Sequence, residues 1–134
     1  MRVADIMQTT VRTVTSDTPV SEVVVSLADG QVTGLPVVDA RARVVGVVSS
    51  TDLIAAQAET QSAAARDILL DHTPVRDIMT PKPFVIESTA EVREAARHML
   101  YAEVRRLFVE DDGVLVGVIS HTDIVRAVAT GKIV

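Results

Sequence analysis

A repeat within the sequence constrains this chain more than any other feature. Residues 116–123 read Val-Gly-Val-Ile-Ser-His-Thr-Asp, and residues 45–52, lying 71 positions upstream, read Val-Gly-Val-Val-Ser-Ser-Thr-Asp. In both copies the pattern of a buried strand runs into a Ser-x-Thr-Asp turn that leads into a helical pattern. A single repeat of this kind rarely buries its own apolar face, so the repetition predicts two similar halves that fold together.

The two halves share one order of predicted elements. They open with Val-Ala-Asp-Ile-Met at residues 3–7 and Val-Arg-Asp-Ile-Met at residues 75–79, 72 positions apart. A short strand follows, then a helix whose apolar residues keep the i, i+3, i+4, i+7 spacing of a stripe that packs on a core. Two further strands joined by a hairpin-type turn precede a closing helix. The strands are predicted at residues 11–14, 35–38 and 44–48 in the first half, and at residues 84–86, 107–110 and 115–119 in the second.

We therefore predict an α+β fold of two β-α-β-β-α units that pack sheet to sheet with pseudo-twofold symmetry. The predicted units are residues 1–60 and 75–134, and residues 61–74 form a connector whose alanine content favours helix. Gly30 is expected to end the first amphipathic helix because glycine accepts a positive φ. Ala102 occupies that position in the second half.

Composition excludes several classes of function. There is no cysteine, so disulfides and thiolate metal sites are excluded, and the three histidines lack the spacing of metal ligands. No apolar run approaches the roughly 20 residues that span a bilayer, and we predict a soluble, cytoplasmic protein without membrane contact. A net charge of −5 and only three aromatic residues disfavour nucleic-acid binding.

The ordered residues of each half resemble a CBS motif, the cystathionine β-synthase domain. In the first half these are Asp-Ile-Met, Gly-Leu-Pro-Val-Val-Asp at residues 34–39 and the Ser-x-Thr-Asp turn, and the second half repeats the order with Arg-Arg-Leu-Phe-Val-Glu-Asp at residues 105–111. The chain is thus similar over nearly its whole length to a tandem CBS pair, or Bateman module. That resemblance implies a regulatory, energy-sensing homodimer that binds AMP, ADP, ATP or S-adenosylmethionine in clefts between the motifs. It implies no catalytic activity and no cofactor beyond the regulatory nucleotide.

The Ser-x-Thr-Asp turn supports two interpretations. Its carboxylate can accept hydrogen bonds from both vicinal hydroxyls of a ribose, and its hydroxyls and the helix N–H groups that follow suit a phosphate. Serine, threonine and aspartate are equally ordinary at the start of a helix, where they cap the free N–H groups. Because the turn occurs twice in matching context, we favour the ligand interpretation, and a capping residue can also contact a ligand.

In the family resemblance, each nucleotide contacts the turn of one motif and the first-strand loop of the other. Carried over, the first cleft would contain Ile119, Ser120, His121, Thr122, Asp123, Thr10, Val11, Arg12, Thr13 and Val32. The second cleft would contain Val48, Ser49, Thr51, Asp52, Pro83, Phe84, Val85 and Val104. Adenine would lie among aliphatic side chains; Phe84 could contact the ring, although we expect it in the core. His121 could approach a phosphate, although a solvent-facing position is commoner at the end of a strand.

The two clefts are not expected to be equal. Arg105 and Arg106 precede the middle strand of the second half, where the first half has Thr33 and Gly34. Guanidinium groups match phosphate geometry, so we predict tighter binding of a phosphorylated ligand in the cleft that contains Asp123. The alternative is that these arginines are solvated or pair with Glu103 or Glu110.

Two other functions compete with the sensor. An enzyme is disfavoured because the sequence has no nucleophile elbow, P-loop or Rossmann glycine fingerprint. An interaction scaffold that binds no ligand, and whose apolar helix faces only form a dimer, stays open as the alternative.

Overall fold

A computed structural model describes residues 1–29, 34–81 and 83–131. Gly30, Thr33 and Val32 lie outside the described residues. The chain divides into two compact units, Met1–Val11 with Pro83–Val134 and Arg12–Lys82, which we call the Asp123 unit and the Asp52 unit. The units do not coincide with the sequence repeats, because the first 11 residues belong with the second repeat.

The Asp52 unit contains a four-stranded sheet in the order β1-β2-β3-β4. Strands β1 and β2 are parallel, and the other neighbours are antiparallel. Its elements are β1 (Val14–Thr15), α1 (Val20–Ala28), β2 (Gly34–Val38), β3 (Val44–Ser49), α2 (Ser50–Ala58), α3 (Ala63–His72), a 3-10 turn (Val75–Asp77) and β4 (Thr80–Pro81). The β-α-β-β-α order predicted for the first half is present.

The Asp123 unit contains a three-stranded sheet in the order β5-β6-β7, with β5 parallel to β6 and β6 antiparallel to β7. Its elements are a 3-10 turn (Val3–Asp5), β5 (Val85–Ile86), α4 (Val92–Ala102), β6 (Arg106–Asp111), β7 (Val114–Ser120) and α5 (His121–Ala129). The same β-α-β-β-α order is therefore present, which confirms the α+β class.

Each opening Asp-Ile-Met segment packs in the unit of the other repeat. Val3 is fully buried in the core of the Asp123 unit, and its N–H donates to the carbonyl of Ala90 at 2.8 Å. Val75 is fully buried in the core of the Asp52 unit, and its N–H donates to the carbonyl of Thr18 at 2.8 Å. Because the repeats match, this exchange gives each unit one opening segment.

Among the residues that the structure describes, the buried cluster of each unit contains no aromatic side chain. In the Asp52 unit the buried cluster is Val23, Leu35, Val37, Val48 and Val75. In the Asp123 unit it is Val3, Ile86, Ala95, Met99, Leu107, Val109 and Ile119. In α4 the spacing of Val92, Ala95 and Met99 places all three on one buried stripe.

Several predicted boundaries differ from the structure. Strand β1 begins at Val14, so Val11 lies outside it, and the first strand of the second half begins at Val85 rather than Phe84. These strands pair along two residues only, because the chain turns away at once to reach its helix. Helix α4 ends at Ala102, the match of Gly30, and the residue after it, Glu103, takes the left-handed conformation at φ 57°.

The two hairpins close by different chemistry. In the β2–β3 turn, Asp39 Oδ1 accepts from the backbone N–H groups of Arg43 and Arg41 at 3.0 and 2.8 Å, and Arg43 Nε donates to its Oδ2 at 2.9 Å. These bonds, led by the Arg43 N–H, hold the pKa of Asp39 below its usual value. The β6–β7 turn has only Asp112 and Gly113, at φ 52° and 77°, which is the two-residue loop that matches strand twist.

Candidate functional site

Both Ser-x-Thr-Asp turns are built as capping boxes. Ser120 is the N-cap of α5: its Oγ accepts from the N–H of Asp123 at 3.2 Å, and its N–H and hydroxyl both donate to Asp123 Oδ2 at 2.9 Å. Ser49 and Asp52 repeat this at α2, with corresponding distances of 3.3, 2.8 and 3.0 Å. The capping interpretation of the turns is therefore confirmed, and it leaves their ligand role a separate question.

The second oxygen of each aspartate is bound by the opening segment packed in the same unit. Gln8 Nε2 donates to Asp123 Oδ1 at 3.0 Å, and Thr80 Oγ1 donates to Asp52 Oδ1 at 2.9 Å. Residues 8 and 80 are 72 positions apart, which is the offset of the opening segments. They are therefore equivalent positions of the two repeats, and each donates a side-chain hydrogen bond to the aspartate of its turn. Gln8 and Thr80 were not among the residues predicted for the site, although each directly follows Asp-Ile-Met.

A strand glycine makes this contact possible. A Cβ on Gly117 would lie 2.7 Å from the carbonyl oxygen of Gln8 and 2.8 Å from Met7 Sδ. Gln8 also exchanges two backbone hydrogen bonds with Val118, at 2.8 and 2.9 Å. Gly46 receives Met79 and Thr80 in the same way, which explains the Val-Gly-Val sequence of both strands. The glycine lets the opening segment come close enough for residue 8 or 80 to reach the aspartate.

The two aspartates differ in burial. Asp123 is 6% exposed, and it is the one charged side chain classed as buried in the described part of the chain, whereas Asp52 is half-buried. A buried carboxylate is costly unless hydrogen bonds satisfy it, and Asp123 has three protein donors. The polar contacts at this turn are therefore structural requirements as well as possible ligand contacts.

A cleft of about 250 Å³ opens beside Asp123 within the Asp123 unit. Its lining residues are Asp5, Ile6, Met7, Gln8, Asp123, Arg126, Ala127 and Thr130. Small-molecule sites have volumes of roughly 300 to 1,000 Å³, so this cleft has room for part of a nucleotide. Arg126, one helical turn after Asp123, adds a cation that the first repeat lacks, because the matching position is Ala55.

The predicted residues of the second repeat converge on this turn. The N–H of His121 donates to the carbonyl of Arg105 at 2.9 Å, and Arg106 is paired with Ser120 across β6 and β7. Arg105 and Thr122 are exposed, as is His121, which confirms its solvent-facing position. Thr10 and Val11 lie in the same unit, whereas Arg12 and Thr13 belong to the Asp52 unit, so their share in the site stays a prediction.

The other predicted residues range from completely buried to exposed. The side chains of Ile119 and Val48 are completely buried in the two cores, so a ligand could reach only their backbone. Phe84 is 53% exposed, so the expectation that it belongs to the core was wrong. Its neighbours Pro83 and Val85 are half-buried and exposed, and Val104 packs against the core of the Asp123 unit. Ser49, Thr51 and Asp52 lie in the Asp52 unit, and the pairing of the two sets in one cleft stays a prediction.

Within residues 1–29, 34–81 and 83–131, no group of three His, Asp or Glu side chains is arranged to hold a metal. Over the same residues, no helix combines the length and the apolar character needed to cross a bilayer.

Two β-α-β-β-α units, each with a capped Ser-x-Thr-Asp turn bound by an opening segment, define a tandem-repeat α+β protein. Comparison identifies the family. The chain belongs to the CBS domain family, whose model matches it twice, at residues 3–59 and 75–130.

Similar proteins include two from Arabidopsis thaliana. CBSX1 and CBSX2, both described as chloroplastic CBS domain-containing proteins, are 31% and 34% identical to the chain over 131 residues each. These matches cover 82% of this chain and 56% and 55% of the relatives, so the chain spans about half the length of the curated relatives it matches.

Solved structures agree with the fold over almost the full chain. The crystal structure of CBSX2 in complex with AMP is 36% identical, with a TM-score of 0.83 and 98% coverage of both chains. The CBS domain pair of MJ0100, solved in complex with 5′-methylthioadenosine and S-adenosyl-L-methionine, is 25% identical, with a TM-score of 0.78 and coverage of 99% and 98%.

Proposed function

We propose that this chain is a non-catalytic regulatory module that binds an adenosine nucleotide, either AMP, ADP or ATP or else S-adenosylmethionine, and signals by a change of conformation or assembly. The observation that carries the proposal is the near-complete match to CBSX2, a CBS pair crystallised with AMP. Support from this chain comes from the paired turns, each with an aspartate, and from the cleft beside Asp123. We place the protein in the cytoplasm, as its composition suggested.

In the proposed complex, Asp123 and Asp52 bind the ribose hydroxyls, and the hydroxyls and N–H groups of the turns face the phosphate. Arg105 and Arg106 strengthen the phosphate contact on the Asp123 side. The position of Arg105 supports this role. Its carbonyl accepts a hydrogen bond from the N–H of His121, the first residue of α5, so Arg105 lies next to the N-terminus of that helix. A cation beside a helix N-terminus favours a phosphate over an uncharged nucleoside.

Calorimetry with AMP, ATP and S-adenosylmethionine tests the proposal on the wild type and on the variants Asp123→Ala and Asp52→Ala. Each charge-assisted hydrogen bond contributes about 1.5 to 3 kcal/mol, so each variant should lose roughly ten- to a hundredfold in affinity at its own site. Asp123→Asn and Asp52→Asn are second variants that keep an acceptor for the capping serine. Asp111→Asn is the matched control, because Asp111 also accepts from a serine hydroxyl and N–H but does not line the cleft.

Failure to bind any of these three ligands would contradict the proposal. Asp123→Ala leaves the Asp52 site and Asp52→Ala leaves the Asp123 site, so equal AMP affinity of the two variants would contradict the inequality of the two sites. Arg105→Ala should weaken AMP binding several-fold while leaving adenosine binding unchanged, because adenosine has no phosphate.

We also propose that the chain forms a homodimer, as the family resemblance implies. Supporting this, helices α4 and α5 present exposed apolar side chains, with Leu100 75%, Tyr101 89%, Val125 65% and Val128 56% exposed. A groove of about 200 Å³ between these helices is lined by Ala96, Met99, Leu100, His121, Ile124 and Val125. A second copy of the same helical face would cover it.

Sedimentation of Val125→Asp measures the dimer. This variant should shift the protein to monomer. Because the face packs against its own copy, the dimer would have to bury two unpaired carboxylates, one from each subunit. Val114→Asp, an exposed valine on β7, is the matched control and should leave the assembly unchanged. The ligand-free scaffold, our alternative, predicts a dimer whose melting temperature is unaffected by nucleotide at millimolar concentration. A ligand at a hundred times its Kd would instead add about 2.7 kcal/mol of stability.

A further inference from the structure

We infer that Gln8 competes with the sugar for Asp123, and that it sets how strongly this turn distinguishes a vicinal diol from a sugar with one hydroxyl. This inference rests on the proposed function, because it assumes that Asp123 binds the sugar of a nucleoside. It adds a specificity-determining residue from outside the Ser-x-Thr-Asp turn.

Counting the hydrogen bonds of Asp123 leads to this inference. A carboxylate offers about four lone-pair positions. Three are used in the described structure: Oδ2 accepts from the N–H and the hydroxyl of Ser120, and Oδ1 accepts from Gln8. One position is left, whereas a vicinal diol that donates both hydroxyls needs two. One of the present donors must therefore leave before both hydroxyls can bind.

Gln8 is the donor that can leave. Both Ser120 donors belong to the capping box that begins α5, so removing either would disturb the helix start. The Gln8 contact is made by the end of a flexible side chain that lies at the cleft. The backbone of Gln8 is fixed by the two hydrogen bonds to Val118. Its side-chain amide can therefore rotate away from Asp123 without displacing the opening segment.

The first repeat provides an internal comparison. Asp52 has the same count, with two donors from Ser49 and one from Thr80. The hydroxyl of Thr80 both donates and accepts, so a rotation about one bond redirects it toward a ribose oxygen. Gln8 Nε2 can only donate, and its whole amide must move. The Asp123 turn should therefore favour a ribose over a deoxyribose less strongly than the Asp52 turn does.

NMR titration with AMP and 2′-deoxy-AMP tests the inference turn by turn. Backbone amide shifts of Thr122 and Thr51 report the two turns separately, so each titration gives a Kd for each turn. The measured quantity is the ratio of the two Kd values, deoxy over ribo. Gln8→Met keeps the length of the side chain and removes its donor, and should raise the ratio at Thr122 about tenfold or more, the equivalent of one hydrogen bond to a charged group.

Gln8→Thr copies the first repeat and should bring the ratio at Thr122 to the value at Thr51. It also serves as the second variant if Gln8→Met fails to fold. Thr80→Val is the matched control and should change the ratio at Thr51 by less than twofold. In the wild type the Thr80 hydroxyl can rotate away from Asp52 when the sugar binds, so its removal gains little.

Unchanged ratios in both Gln8 variants, with AMP still bound, would overturn this inference alone. A ratio that falls in Gln8→Met would also overturn it, since Gln8 would then assist the diol. Binding of neither nucleotide by the wild type would overturn the proposed function and this inference together.

Discussion

The close approach at Gly117 predicts a specific order of stability among glycine-to-alanine variants. A Cβ on Gly117 would meet a backbone oxygen, that of Gln8, at 2.7 Å, and this oxygen cannot move without breaking the hydrogen bond that it accepts from the N–H of Val118. Overpacking costs about 1 to 3 kcal/mol and each lost backbone hydrogen bond about 1 kcal/mol. We expect Gly117→Ala to lower the free energy of unfolding by about 2 to 4 kcal/mol, which lowers Tm by roughly 8 to 16 °C.

Two other glycines calibrate this estimate. A Cβ on Gly46 would lie 2.5 Å from Met79 Sδ and 3.0 Å from the carbonyl oxygen of Thr80. A flexible sulfur can move, so Gly46→Ala should cost less, about 1 to 2 kcal/mol. Gly34→Ala is the control, because its Cβ would meet atoms only at 3.5 Å and beyond, and we expect a change within about 0.5 kcal/mol.

Urea unfolding followed by circular dichroism, at one fixed protein concentration, measures all three variants. If Gly117→Ala were as stable as Gly34→Ala, the packing of the opening segment against β7 would be wrong. If Gly46→Ala were the most costly of the three, the distinction between a rigid backbone neighbour and a movable side chain would fail.

Three further predictions follow from named contacts. Ser120→Ala should destabilise by about 1 to 2 kcal/mol in urea unfolding, and by more than Ser62→Ala, because Ser62 makes only an exposed cap of α3 whereas the Ser120 hydroxyl also donates to buried Asp123; equal costs would contradict this. Leu35→Ala, at a side chain 1% exposed, should cost about 2 to 5 kcal/mol, while Leu100→Ala, at one 75% exposed, should leave monomer stability nearly unchanged. The Ser88 hydroxyl and N–H lower the pKa of Asp111, so this carboxylate stabilises the fold above its unfolded pKa of about 4 and loses that contribution as pH falls through its lower folded pKa. Unfolding followed from pH 5 to pH 2 should show a shallower loss of stability in Asp111→Asn, and an unchanged slope would contradict the assignment.

Much of the fold could be predicted from the repeat and from hydrophobic periodicity. Helices α1 and α4 follow the first strand of each half, where the helical spacing of apolar residues predicted them, and the predicted middle strands lie within β2, β3, β6 and β7. Boundaries were less predictable where tertiary contacts decide them. Strands β1 and β5 are two-residue segments held by one parallel neighbour each, and no local periodicity distinguishes two strand residues from four.

The candidate site was predictable in its types of residue but not in its hydrogen bonds. Ser120 and Asp123 were identified from the doubled turn, and the structure brings them together as expected of a cap. The partner on the second carboxylate oxygen was missed because Gln8 and Thr80 are chemically unlike and lie in segments distant in sequence from the turns they serve. The matched offset of 72 was the available signal, since equal positions in a repeat tend to perform equal tasks.

In the Asp123 unit, one short segment both packs in the core and makes a polar contact with the aspartate of the turn. Residues 3–8 supply Val3 to the core of the Asp123 unit, fit the notch at Gly117, and carry the side chain of Gln8 to Asp123. A ligand that draws Asp123 away from Gln8 therefore acts on a segment whose backbone is fixed by Val3 and by the pairing with Val118. Such a ligand shifts a conformational equilibrium only if its affinity differs between two states of the protein. In one state Gln8 is hydrogen-bonded to Asp123, and in the other, the released state, that bond is broken. The carboxylate count supplies that difference, because a diol can make both of its hydrogen bonds to Asp123 only in the released state.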